Sequence, residues 1–67
     1  MFLKIKGKEG EYLVKNESSI LQYKLDENGQ KTGESVLHII TDSIENQDDR
    51  SEVTKTIEKF NLNYIRH

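Results

Sequence analysis

The sequence predicts a small α+β domain, an antiparallel sheet of four or five strands with one helix packed on one face. Three observations carry that prediction. Apolar and polar residues alternate through the N-terminal part of the chain, the pattern of half-buried strands. An Asn-Gly pair, Asn28-Gly29, lies between two such stretches, where a hairpin turn belongs. After Thr41 the period changes, and Val53, Ile57 and Phe60 stand at i, i+4 and i+7, one stripe of a helix.

The elements follow in order. From Phe2 to Lys6, Leu3 and Ile5 alternate with Lys4 and Lys6, a first strand. Lys8-Glu9-Gly10-Glu11 makes a polar turn, and Tyr12, Leu13 and Val14 form the second arm of a hairpin. Lys15 to Ser18 connects to a second hairpin with arms Ile20–Leu25 and Val36–Thr41.

A two-residue turn at Asn28-Gly29 requires positive φ at both positions, which Asn and Gly tolerate best. That turn sets Asp26 opposite Lys31, Tyr23 opposite Glu34 and Leu21 opposite Val36. Leu21, Tyr23, Val36 and His38 then share one inward face. Gly33 falls opposite Lys24, a place for a bulge or a longer loop. The acidic connector 42–49 is expected to be mobile. Asp49 and Glu52 have the spacing of a capping box at the start of the helix, and Asn61 suits its exit. Leu62, Tyr64 and Arg66 alternate as a short C-terminal strand would.

Composition bounds the function. Sixty-seven residues make a single domain, 1–67, with a thin core. Only 33% of residues are apolar and 33% are charged, so stability is expected to be modest and homodimer formation a natural supplement. The chain contains no cysteine, which excludes disulfides, zinc-thiolate sites and thiol nucleophiles and fits a cytoplasmic location. The N-terminus interleaves lysines with its apolar residues and so lacks the continuous apolar core of a signal peptide. Asn16-Glu17-Ser18 matches a glycosylation sequon and reads as chance without a secretion signal. No apolar run approaches the length of a membrane span, so no membrane partner is expected. Alanine, proline and tryptophan are absent beside seven isoleucines, eight lysines and five asparagines. That usage predicts an AT-rich genome, such as that of a low-GC bacterium or its phage.

The chemistry-bearing residues are few. An EF-hand calcium loop starting at Asp26 fails, because Lys31 stands where the sharp-turn glycine belongs and Leu37 where the bidentate glutamate belongs. His38, between Val36 and Ile40, reads as a packed, hydrogen-bonded residue, and His67 is the last residue. No metal or cofactor is expected. No serine lies in a Gly-x-Ser-x-Gly context, no glycine-rich phosphate loop exists, and no carboxylate pair has apolar surroundings. The chain is therefore expected not to be an enzyme.

Two charge features remain. Lys4, Lys6, Lys8, Lys15 and Lys24 are interleaved with Phe2, Tyr12 and Tyr23, the materials of a nucleic-acid or nucleotide-binding face. Residues 1–31 nevertheless carry six lysines against five acids, and lysines on strands also protect edges. Asp42, Glu45, Asp48, Asp49 and Glu52 are opposed only by Arg50, a local balance of −4. The sequence favours a small protein-binding module of adaptor or inhibitor type. It would act through a sheet edge and this acidic segment on a partner protein with a basic surface. Nucleic-acid binding is the alternative.

Overall fold

The computed structural model describes residues 3–16 and 18–60. Four strands form one antiparallel meander in the order β1-β2-β3-β4: β1 (Leu3–Lys6), β2 (Gly10–Asn16), β3 (Ser19–Leu25) and β4 (Lys31–His38). A 3-10 turn at Thr41–Ser43 leads to helix α1 (Gln47–Phe60), which packs chiefly against β2. The expected C-terminal strand, the helix exit at Asn61 and His67 lie outside the described residues.

The register places Leu3 opposite Val14, Ile5 opposite Tyr12, Val14 opposite Ile20, Tyr12 opposite Gln22, and Ile20 opposite His38. Side chains on a strand alternate between faces. These residues therefore share one face, and α1 covers part of it. The core consists of Tyr12, Val14, Ile20, Ile44, Val53 and Ile57, with Ile5 packed against it. Ile44 reaches this core from within the acidic connector, between the 3-10 turn and α1.

The second hairpin departs from the expected register. Gly29 N–H donates to the Asp26 carbonyl at 2.9 Å and Asp26 N–H to the Gln30 carbonyl at 2.8 Å. The loop thus has three residues, with Gly29 at positive φ, +79°. Asp26 Oδ1 stabilises it by accepting from Asn28 N–H at 2.8 Å and Gln30 N–H at 2.9 Å. Leu25 consequently meets Lys31. Beyond it, Thr32–Glu34 bulge opposite Lys24, with Gly33 at φ +96°, so that Tyr23 meets Ser35 and Leu21 meets Leu37.

One residue more in the loop changes which residues of β3 share a face with Val36 and His38. Ile20, Gln22, Val36 and His38 look toward the helix side, while Leu21, Tyr23 and Leu37 occupy the open face. Ile40, which continues the alternation of Val36 and His38, lies beyond the end of β4 and is exposed.

The helix also begins earlier than the spacing of Asp49 and Glu52 suggests. Asn46 is the N-cap, its Oδ1 accepting from Asp49 N–H at 2.9 Å. The buried stripe of α1 is Asp49, Val53 and Ile57, and Phe60 is half exposed.

Candidate interaction surface

Asp49 explains how the helix is fixed to the sheet. Its carboxylate accepts from Lys8 N–H at 2.7 Å, Glu9 N–H at 2.9 Å and the Tyr12 hydroxyl at 2.8 Å. A buried carboxylate is tolerated when donors surround it in this way. Gly7 makes the approach possible, since a Cβ there would stand 2.4 Å from the Asp49 carboxyl carbon. Burial, then the hydrogen bond to Asp49, pushes the Tyr12 phenol well above its ordinary pKa, so it remains a donor.

The five acids of the predicted patch therefore separate. Asp49 is internal and committed to the β1–β2 turn. Asp48, next to it, is exposed and binds Lys8 Nζ at 2.7 Å. That hydrogen bond lowers the pKa of Asp48 and raises that of Lys8. Asp48 and Glu52 line a groove between α1 and β1 whose lining also includes Lys4 and Lys6. Asp42 is exposed in the 3-10 turn, and Glu45 lines a separate cleft by the β3–β4 hairpin. Only Asp42 and Glu45 accompany the end of β4.

The lysine and tyrosine set separates as well. Tyr12 is inside, and Lys8 is paired with Asp48. Lys24 lies on the same side as Gln22, while Lys4, Lys6 and Tyr23 lie on the open face. In the middle of that face Glu11 binds Lys4 and Lys31, each at 3.5 Å, and Lys31 Nζ lies 4.6 Å from the Tyr23 ring centroid. Partial burial tends to raise the Glu11 pKa, and the two lysines outweigh it, leaving the carboxyl below its ordinary value. Phe2 lies outside the described residues.

The sheet ends in two edges, β1 and β4. Among the described residues the outer side of β4 has no strand partner over its eight residues. Lys31–Ser35 are exposed along it, and Leu37, Ile39 and Ile40 are 62%, 68% and 55% exposed. Such an edge offers unpaired backbone donors and acceptors, and three neighbouring apolar side chains add a surface that water does not favour. The signal for it lay in the run Val36-Leu37-His38-Ile39-Ile40, which is apolar on both parities and cannot all face one core.

Behind this edge an open cleft of about 440 Å³ is lined by Val36, His38, Gln22, Ser43, Glu45 and Lys24, among others. His38 is buried and contacts Ser43 Oγ through Nδ1 at 2.6 Å and Gln22 Oε1 through Nε2 at 2.7 Å. Burial lowers its pKa, and the Glu45 carboxylate opposes that shift. Sequence reasoning placed His38 on the inward face but missed its partners. Gln22 was legible only as a polar residue in the parity of Ile20, and Ser43 comes near through the turn after β4. Among the described residues no three His, Asp or Glu side chains gather into a metal-binding group, and no helix is long and apolar enough to cross a membrane. No protein-family model matches the chain, and neither a curated protein nor a solved structure matches it.

Proposed function

We propose that this chain is a non-enzymatic protein-binding module that takes an extended, basic segment of a partner along the outer edge of β4. The observation that supports this reading is the eight-residue edge, which ends in the exposed apolar residues Leu37, Ile39 and Ile40. An added strand would satisfy the free backbone groups, and its alternate side chains would cover those residues. The partner's basic character follows from the acids beside the edge: Glu34, Asp42 and Glu45 are all exposed, with Lys31 at the far end. Asp48 and Glu52 face the β1 side and Asp49 is internal, so they lie outside this contact. A second copy of the chain pairing at the same edge is the competing occupant.

The test uses a partner captured from a lysate of the source organism, purified and titrated against variants. Reversing Glu34, Asp42 and Glu45 to lysine is expected to weaken binding at least tenfold. Reversing Glu52 is expected to leave it unchanged. Equal binding by all variants would overturn the reading. Concentration-dependent mass in sedimentation, abolished by Ile39→Lys, would assign the edge to self-association instead. Retardation of DNA or RNA that fades steeply with salt would favour nucleic acid.

A further inference from the structure

The hydrogen bonds around His38 can be counted proton by proton. Gln22 Nε2 donates to the Glu9 carbonyl at 3.3 Å, so Gln22 Oε1 faces the imidazole, and His38 Nε2 must carry a proton. The other ring nitrogen has two possibilities. Ser43 Oγ lies 2.6 Å from Nδ1 and 2.9 Å from the Ile40 carbonyl, yet the hydroxyl has one proton to give. With neutral His38 that proton goes to Nδ1, and the Ile40 carbonyl keeps only Ser43 N–H at 3.3 Å. With protonated His38, Nδ1–H donates to Ser43 Oγ, and the hydroxyl is free to donate to Ile40. Every contact is then used.

We propose that Gln22, His38 and Ser43 form a proton-operated latch at the end of β4: protonation at Nδ1 turns the Ser43 hydroxyl onto the Ile40 carbonyl and tightens the turn that presents Ile39 and Ile40. The latch regulates the edge described above, and its consequence for a partner rests on that reading; the proton relay itself does not. The charged groups that share the cleft with His38 are Lys8 and Glu9 from the β1–β2 turn, Lys24 from β3, Asp26 and Glu27 from the β3–β4 loop, and Glu45. The carboxylates outnumber the lysines, and Lys8 is already held by Asp48. The cleft therefore opposes the cost of charging a buried imidazole, and it stays open for a proton to reach Nδ1. A neutral buried histidine that gains a proton at lower pH also costs stability. The folded state binds fewer protons than the unfolded one, so stability is full above the ordinary histidine pKa of about 6.5 and declines as pH falls below it.

The test is a pH titration by NMR of the full chain carrying His67→Gln, which leaves one imidazole. At high pH the Nε2–H tautomer is expected, with a midpoint below about 6.5. The Ile40 carbonyl carbon shift is expected to titrate with the same midpoint. In Ser43→Ala the imidazole still titrates while the Ile40 response disappears, and Ser43→Thr restores it. An Nδ1–H tautomer at high pH, an Ile40 carbonyl indifferent to the titration, or an unchanged response in Ser43→Ala would each overturn the latch. Binding of the purified partner is then followed across the same pH range. A pH-dependent affinity that Ser43→Ala flattens supports the coupling. A flat affinity beside an intact Ile40 response removes the coupling and keeps the relay. Loss of the β4-edge reading itself would appear separately, as binding indifferent to Glu34, Asp42 and Glu45.

Discussion

The covered and open faces of the sheet treat their charged groups in opposite ways. On the covered side Asp49 is buried and each of its carboxylate bonds goes to a fixed donor, two backbone N–H groups and the Tyr12 hydroxyl. On the open side Glu11 sits between Lys4 and Lys31, whose ammonium groups stay largely in water. A donor left unpaired in the interior has no substitute, whereas a surface ion pair that is lost is replaced by solvent. The covered face therefore specifies how α1 docks. The open face and the β4 edge take no part in the Asp49 contacts.

Breaking the covered side should have the largest effect. Asp49→Ala leaves the donors from Lys8, Glu9 and Tyr12 without an acceptor and is expected to cost at least about 3 kcal/mol. Whole domains of this size are held by roughly 0.05–0.15 kcal/mol per residue. Far-UV circular dichroism in urea should therefore show a chain largely unfolded or close to it. Gly7→Ala attacks the same contact from the other side. Its Cβ would overlap the Asp49 carboxylate, so a loss of roughly 2 kcal/mol is expected from the shift in urea midpoint.

Gly33→Ala probes the bulge. Nothing crowds a Cβ there, but φ is +96°, and the strain should lower the midpoint by about 1–2 kcal/mol. Tyr12→Phe sharpens the comparison by removing one hydrogen bond to Asp49 while keeping the ring in the core, with about 1 kcal/mol expected. At the other extreme, Leu37→Lys or Ile39→Lys on the open side should change stability by less than about 0.5 kcal/mol while abolishing partner binding. A large stability loss in those variants would mean that the two regions are not separable.

Much of the fold was legible. Alternation located the strands of the first hairpin, and the spacing of Val53 and Ile57 located the helix, because those residues do face the core. The Asn-Gly pair located the second turn but not its length. Loops of two and three residues both use glycine at positive φ, and the three-residue form is the one in which Asp26 Oδ1 accepts from Asn28 N–H and Gln30 N–H. Because strand side chains repeat with period two, that single residue gives Val36 and His38 the face of Ile20 and Gln22 in place of that of Leu21 and Tyr23, while the pairing of Gln22 with Tyr12 fixes which face of β3 is covered.

The acidic run illustrates the same division. Its charge was plain in the sequence, yet sequence spacing does not say which of two adjacent aspartates points inward. Asp48 and Asp49 lie side by side in the first turn of α1, about 100° apart around its axis. One meets the Lys8 side chain in solvent, and the other meets the Lys8 and Glu9 backbone in the interior.

By itself the sequence determined the class of object: a small α+β domain with two hairpins, one helix and an acidic segment before it, since periodicity and turn chemistry are local properties. Only the tertiary structure decided the register of β4, the burial of Asp49 and the meeting of Gln22, His38 and Ser43. Asp49 meets donors 37 to 41 residues away and Gln22 meets His38 across the β3–β4 pair, while the register of β4 rests on the hydrogen bonds its loop closes, and the spacing of residues along the chain reports none of these.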